Sequence, residues 1–193
     1  MQIALDWDGT CTVADSLVAA IAVFGDPAVL YRGYGSHGEA LAREVGSLHA
    51  SAEEVSDLAV EHVELRPGFR ELVERFQPVI VSSGLPQLIR PVLAREGIEV
   101  EVRSNDAEPR PDGWVVSFYD EGLCPVCGEK CKRSALPKGR PLVYVGDGYS
   151  DRCAALACDR VFARDFLAGF LENEAVAFEP FDTLHDVVAA LER

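Results

Sequence analysis

The sequence predicts an α/β protein, with a three-layer α/β/α core around a parallel sheet and a small helical cap inserted after the first strand. Three observations point there. Short apolar runs alternate with helical stretches, which is the signature of parallel strands covered on both faces. Three of those runs end in acids, hydroxyls or glycines, where open parallel sheets carry their reactive groups. A helical block over residues 13–65 interrupts the alternation directly after the first run.

Residues 2–6 form a short apolar run ending in an acid, the mark of a buried strand. Residues 13–24 are helical, and Pro27, Gly33, Gly35 and Gly38 then break the pattern. Residues 38–48 and 51–63 read as two more helices, the second opened by Ser51 and Glu54 in a capping-box spacing. Arg66-Pro67-Gly68 marks a boundary, which assigns residues 1–12 and 66–193 to the core and 13–65 to the cap. Further helices are expected at 69–76, 86–96, 151–157, 165–172 and 183–192, and strands at 78–82, 98–102, 142–146 and 159–163. A β-hairpin is expected within 103–121, where Pro109, Pro111 and Gly113 lead into Trp114-Val115-Val116-Ser117-Phe118.

The 193 residues carry a net charge of −14, which disfavours nucleic acid and anionic lipid as partners. No apolar run is long enough to span a bilayer, and no basic leader precedes an apolar stretch, so a cytoplasmic protein is expected. Lysine is scarce: Lys130, Lys132 and Lys138 fall in one short stretch.

The chemistry concentrates at three strand ends. The first delivers Asp6-Trp7-Asp8-Gly9-Thr10, the second Ser82-Ser83-Gly84, and the fourth Gly146-Asp147-Gly148-Tyr149-Ser150-Asp151. Carboxylates gathered in this way repel one another unless a cation lies among them, and hard oxygen ligands favour Mg²⁺.

Asp-x-Asp-Gly-Thr, a strand ending in Ser, a Lys, and Gly-Asp-Gly-x-x-Asp, in that order, resemble the haloacid dehalogenase-like superfamily, in its phosphoserine-phosphatase-like subfamily IB. Val81-Ser82-Ser83-Gly84-Leu85, Cys131-Lys132 and Tyr144-Val145-Gly146-Asp147-Gly148 are most similar to two of its groups. One comprises the methionine-salvage methylthio-ketopentenyl-phosphate phosphatases, the other the phosphoethanolamine/phosphocholine phosphatases.

The resemblance implies a Rossmann-like core and an Mg²⁺-dependent phosphatase acting on a small-molecule phosphate monoester. It makes Asp6 the nucleophile, forming an aspartyl-phosphate, and Asp8 the acid/base. Asp6, Asp147 and the backbone carbonyl of Asp8 would hold the metal. Ser82 and Lys132 would bind the phosphoryl oxygens, and Gly9 and Gly84 would let the backbone approach them. Thr10 and Asp151 would support the site. Ser83 and Lys138 stay open as alternatives to Ser82 and Lys132.

Asp15 falls where phosphoserine phosphatases carry a substrate-facing Glu, and Glu44 where they carry an Arg. The acid in place of the Arg argues against phosphoserine and opens an amine-bearing leaving group. A phosphotransferase or mutase on the same scaffold, or a non-catalytic binding protein organised by the cysteine loop, are the other readings.

Six cysteines are present. Cys124-x-x-Cys127-x-x-x-Cys131 suggests structural Zn²⁺ but lacks a fourth ligand, for which a nearby Asp or Glu, Cys11 or water are candidates; a redox-active pair or reduced thiols packed near the site are the alternatives. Cys153 and Cys158 read as small core residues.

Overall fold

The computed structural model describes residues 1–193. Six strands form one all-parallel sheet: β1 (Gln2–Leu5), β2 (Val79–Val81), β3 (Glu101–Arg103), β6 (Leu142–Gly146), β7 (Arg160–Ala163) and β8 (Glu179–Pro180). Their spatial order is β3-β2-β1-β6-β7-β8. The strand order reverses between β1 and its neighbours β2 and β6, so the carboxyl ends of these three central strands share one crevice.

Side-chain alternation along the strands fills both faces. Ile3, Leu5, Ile80, Val143, Val145 and Phe162 point into one core, together with α4 (Phe69–Phe76), α5 (Pro86–Arg95) and α8 (Leu184–Leu191). Ala4, Val79, Val81, Tyr144, Val161 and Ala163 point into the other, against α6 (Arg152–Ala155) and α7 (Asp165–Asn173). Period-two alternation with apolar residues on both sides is what a sheet covered by helices on both faces requires.

Between β1 and α4 lie α1 (Ser16–Phe24), α2 (His37–Gly46) and α3 (Ala52–His62). Asp15, Ser36 and Ser51 cap them, the last with Glu54 in a reciprocal box. Their apolar faces (Leu17, Ile21, Leu41, Val45, Val55) join the first core without a break. The chain enters and leaves this block at one point, where Thr12 and Leu65 form an antiparallel bridge. The hairpin β4 (Asp106–Glu108) and β5 (Val115–Ser117) closes around Trp114, whose Nε1 donates to the Ala50 carbonyl of the helical block at 2.8 Å.

Several boundaries differ from expectation, each for a local reason. The first helix begins at Ser16 rather than 13, because Val13 pairs with the Glu64 carbonyl (2.9 Å) in the entry ribbon. Residues 27–31 form a 3₁₀ turn started by Pro27. The third strand runs over Glu101–Arg103 rather than 98–102, since Ile98 still closes the end of α5 through its amide to the Leu93 carbonyl (2.9 Å). The segment expected as one helix over 151–157 is a 3₁₀ turn followed by the short α6. The two-residue β8 was not foreseen, being too short to carry a period. No helix is long and apolar enough to cross a membrane.

Candidate active site

Asp6 leaves β1 and its side chain turns back to accept from the Trp7 amide at 2.6 Å. The same Oδ1 accepts from Lys132 Nζ. Lys132, at the start of a 3₁₀ turn, also donates to Asp151 Oδ1 at 2.7 Å. All three are buried.

Asp151 has no lone pair to spare. Its Oδ1 also takes the Tyr144 hydroxyl (2.6 Å), and its Oδ2 takes the amides of Asp147 (3.0 Å) and Gly148 (2.8 Å). It therefore folds the Gly146–Asp151 turn and orients Lys132. Asp147 is fixed by the Thr10 hydroxyl, which donates to its Oδ1 at 2.6 Å. Carboxylate oxygens of Asp6, Asp147 and Asp151 lie within 4.8 Å of one another.

Electrostatics separates the acids. Burial, with the charges of Asp151 and Asp147, raises Asp6 well above the usual carboxylate range, and Lys132 works against that rise. Burial also pushes Asp147 up to about 6. Burial acts to raise Asp151 too, but Lys132, Tyr144 and the Gly148 amide outweigh it and hold Asp151 low. For Lys132, burial favours the neutral amine, yet Asp151 and Asp6 overcome it and keep the ammonium charged. Three carboxylates thus face one ammonium, a donor set with room and surplus negative charge for a hard divalent cation. With Asp151 saturated, Asp6 and Asp147 are the side chains left to bind it.

Asp8 faces the other way. Its Oδ1 accepts from the Ser16 amide (2.7 Å) and the Ser16 hydroxyl (2.5 Å), both at the start of α1. Burial, then the nearby charge of Asp15, pushes Asp8 up to about 7 despite those bonds.

The glycines matter through what they leave out. Gly9 has φ +76°, and a Cβ there would run into the Asp147 carboxylate. Its amide is committed to Thr12 Oγ1 at 3.2 Å, so Gly9 shapes the loop and does not offer its N–H to a ligand. A Cβ on Gly84 would stand 2.9 Å from Asp8 Oδ2. Ser82 Oγ accepts the Gly84 amide at 2.8 Å, which leaves its own proton free.

Ser82, Ser83 and Lys132 open onto a cavity of about 230 Å³. His37 and Leu41 of α2 and Phe118 and Tyr119 after β5 form its far wall. His37 Nε2 lies 3.4 Å from Ser83 Oγ, and burial with the Lys132 charge lowers the His37 pKa.

The haloacid dehalogenase-like hydrolase model matches residues 3–156. The chain belongs to this family. Among relatives of this hydrolase, the 2-hydroxy-3-keto-5-methylthiopentenyl-1-phosphate phosphatase of Brevibacillus brevis is 27% identical, over 97% of this chain and 93% of its own. A polyol phosphate phosphatase of Saccharomyces cerevisiae is 30% identical, over 76% and 70% respectively. A substrate-bound phosphoserine phosphatase structure shares the fold with a TM-score of 0.73 at 13% identity, covering 98% of this chain and 97% of its own. The chain is a phosphoric monoester hydrolase.

Within this hydrolase Asp6, Asp8, Gly9, Thr10, Ser82, Ser83, Gly84, Lys132, Asp147 and Asp151 gather at the crevice. Lys138 is exposed and makes no contact with the acids. Asp15 and Glu44 are close enough to raise Glu44 through like charge, after burial, but neither lines the cavity.

Two contributors escaped the sequence reading. Ser16 looked like an ordinary first-turn residue. Arg66 looked only like a boundary, yet it is buried and donates to the carbonyls of Thr10 (2.8 Å), Gly9 (2.6 Å), Thr12 (3.1 Å) and Asp182 (3.1 Å). A lone Arg before Pro-Gly, directly after the helical block, was the available signal. Cys153, read as a small core residue, is buried and also joins Cys124, Cys127 and Cys131 in one sulfur cluster.

Proposed function

We propose that the chain hydrolyses a small-molecule phosphate monoester through a phosphoryl group carried transiently on Asp6, with Mg²⁺ held by Asp6, Asp147 and the Asp8 backbone carbonyl. The observation that carries this reading is the different anchoring of the two acids of Asp6-Trp7-Asp8, the first on Lys132 and the second on Ser16. Asp6 is anchored through one oxygen to Trp7 N and Lys132, leaving the other to attack. Asp8, pushed up to about 7, is divided between acid and carboxylate at neutral pH and can both give and take a proton. Mg²⁺ would supply charge neutralisation for the attacking carboxylate and the developing phosphoryl charge.

Asp6 Oδ2 forms the bond to phosphorus as the ester oxygen leaves, and Asp8 gives that oxygen its proton. Asp8, now a carboxylate, takes a proton from the water that attacks the phosphorus of the aspartyl-phosphate. The P–O bond to Asp6 breaks, and inorganic phosphate is released. The free hydroxyl proton of Ser82 and the ammonium of Lys132 bind phosphoryl oxygens, while Asp151 positions Lys132. In this reading residues 13–65 act as a cap over the core formed by 1–12 and 66–193, with the hairpin β4–β5 completing the wall.

The cavity favours a partly apolar leaving group that carries no anionic charge. Its cations are committed elsewhere: Lys130 to the carbonyls of Asp120 and Glu121, and Arg133 to the Cys153 carbonyl at 3.1 Å. Asp15 and Glu44 do not line it, whereas Asp120 does, so an amine-bearing group stays among the candidates. Leu41, Phe118 and Tyr119 supply apolar surface of the kind a methylthiopentenyl chain would cover.

The test is a panel of metabolite phosphates, with and without Mg²⁺, comparing the wild type with Asp6→Asn. Mg²⁺-dependent release of phosphate that Asp6→Asn abolishes is expected, together with acid-stable phosphorylation trapped only on the wild type. Full activity in Asp6→Asn would refute the mechanism, and preference for phosphoserine over esters without an anionic leaving group would refute the substrate class.

A further inference from the structure

Outside the carboxylate crevice, the sulfur atoms of Cys124, Cys127, Cys131 and Cys153 lie within 4.8 Å of one another, and no disulfide joins any of them. Cys124 Sγ and Cys153 Sγ are 3.8 Å apart. A tetrahedron with Zn–S bonds of about 2.3 Å has an S···S edge of about 3.8 Å. Four sulfurs gathered at that spacing suit a single soft cation.

A cation stands beside the sulfurs. The Arg133 guanidinium reaches Cys153 Sγ at 3.7 Å. Gly128 makes this turn possible: it follows Cys127 with φ +72°, and its amide donates to the Cys124 carbonyl at 2.8 Å. A donor reaching sulfur from the outer shell orients and stabilises a metal-bound thiolate.

We propose that Cys124, Cys127, Cys131 and Cys153 bind one structural zinc ion, and that this ion clamps together the two segments that carry Lys132 and Asp151. Cys131 directly precedes Lys132, and Cys153 follows Asp151 on α6. The metal therefore closes a ring whose opposite side is the Lys132–Asp151 ion pair. The loop also reaches the cap, since Glu129 accepts the His37 amide at 3.1 Å. The clamp's effect on phosphate binding rests on the role given to Lys132 above; the metal site itself does not.

The experiment is metal analysis of the wild type, Cys127→Ser and Cys153→Ser, purified without chelator, with cobalt substitution as an independent readout. One zinc per wild-type chain is expected, with the intense visible bands of tetrahedral tetrathiolate cobalt after exchange. Both variants should lose the metal or shift those bands. Wild type without zinc, an intact mass showing disulfides in its place, or Cys153→Ser with unchanged zinc and cobalt spectrum would overturn the site. Removing the zinc while keeping Mg²⁺ in excess should weaken inhibition by inorganic phosphate about tenfold or more. Unchanged inhibition would overturn the clamp. Zinc bound as expected in a protein without phosphatase activity would instead count against the reading of Asp6 and Asp8.

Discussion

Ser16→Ala tests how Asp8 is tuned. The Ser16 hydroxyl donates to Asp8 Oδ1 at 2.5 Å, while the Ser16 amide, which the substitution keeps, donates at 2.7 Å. A hydrogen bond to a charged group contributes about 1.5–3 kcal/mol. One pKa unit corresponds to about 1.4 kcal/mol, so losing the hydroxyl should raise Asp8 by about one to two units. The sign follows from the donor favouring the ionised carboxylate: without it, the protonated acid survives to higher pH. The basic limb of kcat/KM, measured with an alkyl phosphate at saturating Mg²⁺, should move up by that amount in Ser16→Ala. Ser16→Thr, which keeps the hydroxyl, should hold the wild-type profile. An aryl phosphate, whose leaving group needs no proton, should show little of the shift. A basic limb that stays in place or moves down in Ser16→Ala would refute the assignment of Asp8 as the acid that Ser16 tunes.

Three further outcomes follow from the same geometry. Lys132→Met leaves Asp6 and Asp151 buried without their cation, at a cost of about 3–5 kcal/mol at neutral pH, or about 6–20 °C in Tm at 2–4 °C per kcal/mol. Both acids then titrate above their unfolded values, so the variant keeps its stability at acid pH and loses it as pH rises. Equal Tm losses at acid and neutral pH would contradict this. Arg66→Met strips four carbonyls of their donor and should lower Tm by about 6–20 °C, on the order of 3–5 kcal/mol, with kcat falling as the loop over residues 9–12 loosens; thermal denaturation by circular dichroism measures it. Gly9→Ala should stay folded but require at least about tenfold more Mg²⁺ for half-maximal rate, because its Cβ displaces the Asp147 carboxylate; a Mg²⁺ titration of activity decides.

The parts that were legible in the sequence are those in which local chemistry and element position agree. The three central strands, β1, β2 and β6, are short apolar runs, and Asp6, Ser82 and Asp147 stand immediately beyond them, so the sheet itself brings them together. Lys132 was harder, since nothing local separates it from Lys138; burial between Asp6 and Asp151 distinguishes the two. Cys153 could not be paired with its partners from spacing, because α6 reaches the cysteine loop only through the tertiary fold. Arg66 and Ser16 act on backbone carbonyls and on one carboxylate across the entry to the helical block, contacts that leave no periodic trace. Glu44 was placed by alignment to another enzyme's cap; here α2 turns His37 and Leu41 toward the cavity instead.

The bridge between Thr12 and Leu65 has an evolutionary consequence. Both ends of the intervening segment meet at a single hydrogen-bonded gate, with Arg66 bolted to the loop beneath it. Residues can be gained or lost beyond that gate without shifting the register of any strand in the sheet. Lineages can thus remodel the exposed parts of the chamber wall, provided they keep a hydroxyl at position 16 and the buried face that joins the core. Diversity in leaving groups and constancy in the chemistry of phosphorus then emerge from the same topology.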